Sequence, residues 1–492
     1  MNAPQPAWPS TTTPVAHFIA NRWTGSASGA SLPMIDPSEG APFAAIARGE
    51  AADVDAAVAA ARAACDGAWG KLAPADKGRL LLALSRRILD RAEELALIEA
   101  RDCGKPIKQA RADVSACARY FEFYGGAADK LHGVTIPYPR EFTVLGLREP
   151  HGVTGHIIPW NYPLQIFGRS VGGALAAGNA CVVKPAEDAC LSLLRVAELA
   201  AEAGLPPGAL NIVTGLGREA GAALAMHAGI DHLSFTGSPA VGAWVAQEAA
   251  KRHCPVALEL GGKGPQVVFA DADLDAALPV LVNAIVQNAG QTCSAGSRLL
   301  VERSRYEELL ERLGQRFAAL KAGPALADLD CGPLIRATQL ERVQGFLAEA
   351  ERDGIATVAR GRIAGDAPSR GYYVAPRLLR DVPAGARIAR EEVFGPVLAA
   401  MPFDDEDEAV RLANGTDFGL VAGVWTADGA RQLRMARAIR SGQVFVNSYG
   451  AGGGIELPFG GVKHSGYGRE KGFEALYGFT VLKTVVLRHG DG

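Results

Sequence analysis

The stretch VTGHIIPWNYPLQIFGRSVGGALAAGNACVVKPA, residues 153–186, decides the fold. Its two ends are short apolar runs typical of buried strands, and GGALAAGN between them belongs to an alanine-rich helix. The same order continues downstream, where SLLRVAELAAEAG and REAGAALAMHAG predict helices, and LNIVTG and IDHLSFTGS predict strands. Strands that alternate with helices form βαβ units, so the sequence predicts an α/β fold with a doubly wound parallel sheet.

The pattern changes on both sides of this stretch. Residues 54–100 repeat apolar residues at three-to-four spacing and predict helices, and a second α/β region follows Glu259. Residues 134–150 and 479–489, in contrast, have the character of exposed strands. Long unpaired strand edges are a liability in a monomer, so we expect these two segments to form a sheet between subunits. The alternative is that they pair with each other within one chain.

The composition is that of an ordinary globular protein. Of 492 residues, 48% are hydrophobic and 21% are charged, which is enough for a large core and two or three domains. The net charge of −3 comes from interspersed charges of both signs, which favours neither a nucleic-acid partner nor a membrane surface. The longest apolar run, residues 171–183, is too short to span a membrane.

The N-terminus and the cysteines indicate the compartment. The first ten residues are polar and proline-rich, and we interpret them as a frayed tail rather than a signal peptide. The eight cysteines show no pairing intervals, which favours a reduced, cytoplasmic setting over a disulfide framework. Because neither HxxxH nor CxxC occurs, His151 and His156 are interpreted as ordinary loop or strand residues, and no metal is expected.

One cysteine differs from the others. Cys293 lies in NAGQTCSAGSR, residues 288–298, among small and polar residues, with Gly290 and Gly296 on either side. A structural cysteine is usually packed among large apolar side chains, so we interpret this thiol as one presented for close approach. The alternative is a loop that contains a cysteine by chance.

Two further side chains suit catalysis. PWNYPL, residues 159–164, holds Asn161 between prolines after a strand, where its amide can stabilise an oxyanion. LELGGKGP, residues 258–265, places Glu259 in an apolar strand, where burial would raise the pKa of the carboxyl group and suit it to act as a general base. The alternative for Glu259 is a solvent-facing strand residue.

Three turns suit a dinucleotide. SFTGSPAVG, residues 234–242, and TGLGREAG, residues 214–221, place glycines before helices, where backbone N–H groups can face a phosphate, although neither has GxGxxG spacing. VVKPAE, residues 182–187, adds Lys184 and Glu187 after a strand. A carboxylate there suits a ribose and repels a 2′-phosphate, which favours NAD over NADP. The alternative is a solvated turn.

Seven motifs occur together and in order: PWNYPL, KPAE, FTGS, LELGGKGP, GQTCSAGSR, EEVFGPV and LPFGGVKHSGYGRE. With this set the chain resembles the NAD(P)-dependent aldehyde dehydrogenase superfamily from about residue 17 to the C-terminus. The resemblance implies a Rossmann-like NAD-binding domain (residues 1–130 and 150–258), a second α/β domain that is catalytic (259–460) and a small β oligomerisation arm (131–149 and 470–492). It also implies a homodimer or a homotetramer.

The resemblance implies roles for individual residues. Cys293 is the expected nucleophile, Asn161 and the Cys293 backbone N–H hold the oxyanion of a thiohemiacetal, and Glu259 activates the water that hydrolyses the resulting thioester. Relatives that pass the acyl group to coenzyme A typically lack this glutamate, so an acid-forming enzyme is expected. The expected cofactor-binding residues are Pro159, Trp160, Lys184, Glu187, Gly217, Gly221, Phe235, Gly237, Ser238, Leu260, Glu392 and Phe394.

The chain departs from many relatives after PWNYPL, where Arg169 and Ser170 replace a tryptophan and a lysine. The missing lysine puts a proton relay in doubt, and Glu456 is a candidate replacement. Arg169 suits the carboxylate tail of a semialdehyde, unless it pairs with a protein acid. The glycine-rich run 450–454, in the expected tunnel loop, favours bulky or aromatic aldehydes instead. A cysteine esterase without redox chemistry and an inactive binding protein are the alternatives to a dehydrogenase.

Overall fold

The computed structural model describes residues 14–450 and 454–490. The predicted frayed tail and residues 451–453 of the glycine-rich run therefore lie outside the described residues. Among the described helices, none is long and apolar enough to cross a membrane. The α-helices, numbered in chain order, are α1 Ala51–Asp66, α2 Pro74–Asp90, α3 Ala92–Cys103, α4 Ile107–Ala127, α5 Pro163–Ala176, α6 Leu191–Glu202, α7 Ala222–Met226, α8 Pro239–Ala250, α9 Leu274–Val286, α10 Arg303–Ala319, α11 Ala337–Arg352, α12 Arg387–Arg390, α13 Glu406–Asn414, α14 Gly429–Ala438 and α15 Glu474–Gly478.

The strands form two large sheets and three small ones within the described residues. The strands are β1 His17–Ile19, β2 Arg22–Thr24, β3 Ser31–Asp36, β4 Ala41–Ala47, β5 Val134–Ile136, β6 Phe142–Pro150, β7 Val153–Ile158, β8 Ala180–Pro185, β9 Leu210–Ile212, β10 His232–Thr236, β11 Val256–Glu259, β12 Pro265–Val268, β13 Arg298–Glu302, β14 Lys321–Ala322, β15 Thr357–Arg360, β16 Arg362–Ile363, β17 Arg377–Leu379, β18 Val397–Phe403, β19 Val421–Trp425, β20 Gln443–Val446, β21 Gly466–Tyr467 and β22 Thr480–Arg488.

The first large sheet confirms the predicted parallel, doubly wound arrangement. Its order is β2-β1-β9-β8-β7-β10-β11-β21, and the strands from β9 to β11 are parallel, with antiparallel strands at both edges. The chain runs outward from β7 to β9 and then returns to β10 on the other side of β7. Ligands bind beyond the carboxyl ends of strands at such a switch point, which here is formed by the residues after β7 and β10.

The second large sheet has the order β15-β17-β18-β13-β12-β19-β20 and is parallel apart from β15. Each large sheet packs into its own hydrophobic cluster, because the strands are apolar on both faces and helices cover them. Cys293, in the loop before β13, and Glu259, at the end of β11, line one cleft between the two sheets. The domain boundaries stated above stay a prediction.

The two segments that have the character of exposed strands pair with each other. β22 lies antiparallel to β6 along its whole length, from Thr480 opposite Pro150 to Arg488 opposite Phe142, and β5 adds on the other side of β6. The sheet that joins these segments therefore forms within one chain, not between subunits as we expected from the sequence. Pairing within the chain satisfies the inner strand edges, so only the outer edges of β5 and β22 remain for a partner.

Candidate active site

Cys293 lies in a tightly turned loop between α9 and β13. Three consecutive residues of this loop are left-handed, with φ of 48° at Asn288, 53° at Ala289 and 72° at Gly290. Such a conformation is costly for residues other than glycine, so contacts must hold it in place. The Asn288 backbone N–H donates to the Gln109 side chain at 2.8 Å, which ties the loop to α4.

The glycines beside Cys293 do not leave open space for a ligand; they allow close packing of the loop. A Cβ at Gly290 would lie 2.2 Å from the carbonyl oxygen of Gly395, and a Cβ at Gly296 would lie 2.7 Å from Nε2 of Gln266. Both glycines therefore allow the loop to pack closely against the protein. Space for ligands is present at the cysteine itself, which is half-buried and lines two cavities.

The first of these cavities has a volume of about 600 Å³ and is lined mainly by α4, α5 and α9. Its apolar walls include Tyr120, Tyr162, Ile166, Tyr449 and Phe459. We call it the tunnel cavity. The second, of about 410 Å³, continues past the carboxyl ends of β7 and β10 into a third cavity of about 610 Å³, with which it shares four lining residues. We call these two together the cofactor cleft.

Asn161 is bound to the cysteine loop. Its side-chain Nδ2 donates to the carbonyl oxygen of Gln291 at 3.0 Å, and Nδ2 of Asn288 donates back to the Asn161 carbonyl oxygen at 2.9 Å. The side-chain amide has two N–H donors, and among the described residues only one of them is used in this way. The structure therefore brings Asn161 to the site with a donor left for a developing oxyanion.

Glu259 ends β11 and is only 2% exposed, which excludes a solvent-facing strand residue. Neither of its carboxylate oxygens has a hydrogen-bond partner among the described residues. Burial raises the pKa of this carboxyl group well above its ordinary value, and the positive charge of Arg169 opposes the shift. A buried acid with a raised pKa can take a proton from water or from a thiol near neutral pH.

The surroundings of Cys293 favour the thiol over the thiolate. Burial raises the pKa of the Cys293 thiol to about 12, although Arg169 acts in the opposite direction. The thiolate is the nucleophilic form of cysteine. With this raised pKa, the charges around Cys293 do not produce the thiolate at neutral pH. Glu259 lines the same cleft as Cys293 and is the nearby carboxylate that can accept the proton.

The cofactor cleft brings together all twelve of the residues expected to bind the dinucleotide. Lys184 Nζ donates to Glu187 Oε2 at 2.9 Å in the outer part of the cleft. Ser238 caps α8, whose N-terminus opens into the cleft and offers backbone N–H groups to a phosphate. The outer cavity is lined by Pro159, Trp160, Lys184, Glu187, Gly217, Gly221 and Phe235, and the inner one by Pro159, Trp160, Gly237, Ser238, Leu260, Glu392 and Phe394.

The inner end of the cleft is shaped around Glu392. Its carboxylate accepts from the Gly262 backbone N–H at 2.9 Å, and burial raises its pKa to about 7. A Cβ at Gly261 would lie 2.5 Å from this carboxylate, so a larger residue there would displace the Glu392 side chain. Phe394, in the left-handed conformation with φ of 59°, packs its ring against Trp160 at 5.4 Å between centroids.

Arg169 reaches the tunnel cavity but is paired with a protein acid. Its Nε donates to Glu470 at 2.5 Å and a terminal nitrogen donates to Thr236 at 3.0 Å, with both members of the ion pair buried. The structure therefore places Arg169 in the arrangement that the sequence left as the alternative to carboxylate binding. Ser234 completes the pair by donating to the other oxygen of Glu470 at 2.5 Å.

Ser170, which stands where many relatives have a lysine, and Glu456, the candidate replacement for that lysine in a proton relay, lie in different surroundings. Ser170 is buried and hydrogen-bonded to His156 and Ser234. Glu456, in contrast, is 52% exposed and pairs with Arg119. An exposed carboxylate that is held by an arginine is a poor substitute for a buried lysine, so Glu456 is not proposed further as the relay.

The structure adds site residues that the sequence did not indicate. Arg336 lines both parts of the cofactor cleft and pairs with Asp188 at 3.1 Å, but it precedes α11 in a loop without any motif. The Tyr449 hydroxyl donates to the Ser294 carbonyl oxygen at 2.6 Å, next to the nucleophile. Glu470 ends a motif that was recognised, yet nothing in the motif identifies Arg169 as its partner.

Known proteins similar to this chain share one family. The sequence model of the Aldehyde dehydrogenase family matches residues 23–485. A crystal structure from Burkholderia cenocepacia, assigned as an aldehyde dehydrogenase, is 70% identical with a TM-score of 0.96 and covers 96% of this chain and 100% of its own. An NAD⁺ complex of an aldehyde dehydrogenase from Bacillus cereus is 38% identical with a TM-score of 0.94 and covers 97% of each chain. The mitochondrial benzaldehyde dehydrogenase of Antirrhinum majus is 41% identical over 95% of this chain and 88% of its own.

Proposed function

The chain belongs to the aldehyde dehydrogenase family, and we propose that it oxidises an aldehyde to the carboxylic acid with NAD as the hydride acceptor. The observation that carries the proposal is the position of Cys293, which lines both the tunnel cavity and the cofactor cleft. Asn161 and Glu259 line the cleft beside it. One sulfur atom is therefore accessible to an aldehyde from one cavity and to a dinucleotide from the other.

The proposed reaction begins when the Cys293 thiol gives its proton to Glu259, which passes it to solvent, and the sulfur bonds to the aldehyde carbon to give a thiohemiacetal. The second N–H of the Asn161 amide and the Cys293 backbone N–H stabilise its negative oxygen. NAD, when bound, accepts the hydride that leaves this carbon, which turns the adduct into a thioester. Glu259 takes a proton from the water that attacks the thioester, the carboxylic acid leaves, and the thiol is restored.

The cleft fits a dinucleotide and favours NAD over NADP. Glu187 and Glu392 can each accept hydrogen bonds from a ribose, and the N-terminus of α8 lies between them for the phosphates. An anionic Glu187 at the adenosine end repels a 2′-phosphate. Arg336, which could attract one, has its charge offset by Asp188.

The tunnel cavity favours a bulky, uncharged aldehyde, such as an aromatic one, over a semialdehyde. Its volume of about 600 Å³ and its tyrosine and phenylalanine walls suit an aromatic ring. Lys471 also lines the cavity; burial lowers its pKa to about 8, so it is still mainly charged at neutral pH and loses its charge above about pH 8. Three other charged side chains that line the cavity are held by protein partners; the pairs are Asp113–Lys105, Arg119–Glu456 and Arg169–Glu470.

We also propose that the protein is a cytoplasmic homo-oligomer whose subunits associate through the small sheet of β5, β6 and β22, which we call the arm sheet. All eight cysteines are free thiols, which suits a reducing compartment. On the arm, large apolar side chains are exposed, among them Val134, Ile136, Val481 and Val486. A patch of this kind on a strand surface suits burial against another copy of the chain.

The test is NADH production from an aldehyde panel in which benzaldehyde is compared with succinic semialdehyde. We expect NADH and acid in equal amounts, a higher kcat/KM for benzaldehyde, and no turnover by Cys293→Ala. Mass spectrometry of trapped enzyme should find the acyl group on Cys293. Ester hydrolysis without NADH formation would favour the esterase, and full turnover by Cys293→Ala would refute the mechanism.

A further inference from the structure

A buried ionic cluster lies behind the active-site loops. Lys105, between α3 and α4, is 0% exposed; its Nζ lies 3.1 Å from Glu99 Oε1 and also donates to Asp113. Ser192 donates to Glu99 at 2.7 Å, and Gln165 donates to Asp113 at 2.6 Å. Burying three ions costs several kcal/mol for each unless they are paired and hydrogen-bonded, and here they are both.

The cluster joins four helices at one point. Its members come from α3, α4, α5 and α6, and Lys105 is the cation common to both carboxylates. Burial alone would lower the pKa of Lys105, but Asp113 and Glu99 outweigh burial and raise it. Lys105 is therefore a fixed positive charge, not a group that titrates during the reaction.

The Lys105 ammonium also faces an aromatic ring. Its Nζ lies 4.6 Å from the centroid of the Tyr162 ring, within the range of a cation–π contact. Tyr162 directly follows Asn161 in the chain, and its hydroxyl is hydrogen-bonded to the Thr292 hydroxyl at 2.9 Å. Thr292 directly precedes Cys293. One ring thus links the segment of the oxyanion donor to the segment of the nucleophile.

We propose that Lys105 is a positioning residue, which holds the Tyr162 ring and thereby fixes the Asn161 amide and the Cys293 sulfur relative to each other. The inference rests on the proposed roles of Cys293 and Asn161. A purely structural cluster would stabilise the helices without changing the chemical step. A positioning cluster changes the rate of acylation, because misplacing a nucleophile relative to its oxyanion donor by a fraction of an ångström slows the reaction.

The experiment compares Tyr162→Phe, Thr292→Val and Lys105→Met by stopped flow, with the rate constant of the first NADH turnover on benzaldehyde as the readout. Tyr162→Phe removes only the hydroxyl, and we expect it to slow this step about two- to ten-fold with little change in KM or in unfolding midpoint. Thr292→Val removes the same hydrogen bond, so the double variant should be no slower than either single one.

Tyr306→Phe is the matched control. Tyr306 is also buried, its hydroxyl accepts from the Asp381 backbone N–H at 2.9 Å, and Arg380 lies 5.8 Å from its ring centroid. It lines neither cavity at Cys293. We expect it to leave the first-turnover rate constant unchanged.

The Lys105 variants test whether the Lys105 charge and the Tyr162 hydroxyl act together. Lys105→Met and Tyr162→Phe combined should slow the first turnover by less than the product of their separate effects. If Lys105→Met does not fold, Lys105→Met/Asp113→Asn, which leaves fewer unpaired charges, takes its place. Effects that simply multiply, or a Tyr162→Phe rate equal to that of Tyr306→Phe, would overturn the inference. Turnover by Cys293→Ala would instead overturn the proposed function.

Discussion

Removal of Arg169 tests the buried ion pair that the structure places beside the nucleophile. The side chains of Arg169 and Glu470 are 8% and 1% exposed, and Thr236 and Ser234 add hydrogen bonds to the pair. Arg169→Met leaves the Glu470 carboxylate buried without its cation. Glu470→Leu likewise leaves the Arg169 guanidinium buried without its carboxylate.

The expected magnitude follows from burial. Breaking a buried ion pair by removing one partner costs about 3–5 kcal/mol, because the remaining charge loses both water and its counter-ion. Replacing both partners by apolar residues leaves no stranded charge and is often nearly neutral. The double variant Arg169→Met/Glu470→Leu should therefore be more stable than either single variant.

Urea unfolding followed by tryptophan fluorescence measures these differences. The exposed pair of Arg434 with Glu406, at 2.7 Å, provides the control, and Arg434→Met should leave the unfolding midpoint unchanged. Additive losses in the double variant would refute the reasoning, since they would mean that the two side chains do not depend on each other. A second readout is the reaction of Cys293 with iodoacetamide. Without Arg169 its pH profile should move to higher pH, because this cation lowers the pKa of the thiol.

Three further predictions concern the carboxylates of the site. Glu259→Gln should give about one equivalent of NADH per site in a slowed first turnover, since the thiol loses its proton acceptor, and then a steady rate lowered by about 10²–10⁴-fold, since hydrolysis of the thioester loses its base; an undiminished steady rate would contradict this role. Glu187→Gln should raise the kcat/KM ratio for NADP over NAD by about ten-fold by removing the repulsion of a 2′-phosphate, and an unchanged ratio would refute the NAD preference. The pKa of Glu392 is raised to about 7, so the group is protonated below that pH and accepts hydrogen bonds from a ribose above it. NAD affinity, measured by fluorescence titration, should therefore rise from pH 6 to pH 8 and lose this slope in Glu392→Gln.

The regular elements of the first sheet could be predicted from sequence because each is short, uniformly apolar and separated from the next by a helix. Residues 153–159 were expected to form a strand, and β7 covers Val153–Ile158. The prediction was less accurate for REAGAALAMHAG, where a wide helical turn over Gly217–Gly221 precedes a helix of five residues. Periodicity indicates a helix there but does not distinguish a turn with i→i+5 hydrogen bonds from an α-helical one.

The site residues also divide into those that local sequence identifies and those whose contacts depend on the whole fold. Asn161, Glu259 and Cys293 each lie at or just beyond the end of a strand or helix inside a short motif, so local sequence identifies them. The partner of Arg169 is 301 residues away, and sequence offered only the general alternative of a protein acid. Which acid it meets depends on β21 returning to the edge of the first sheet, next to β11. That arrangement is a property of the whole fold.

Two buried ionic clusters lie near the Cys293 loop, and their internal pairing explains why Arg169 and Lys105 do not indicate a charged substrate. Arg169 is balanced by Glu470, and Lys105 is balanced by two carboxylates. An aldehyde is neutral, whereas the thiohemiacetal oxygen and the attacking water develop charge only during the reaction. A site for such chemistry gains from dipoles and ions that are fixed before the substrate arrives. Pairing the ions with each other fixes them. The two guanidinium groups that the described part of the chain contributes to the tunnel cavity, those of Arg119 and Arg169, are each already paired with a protein carboxylate.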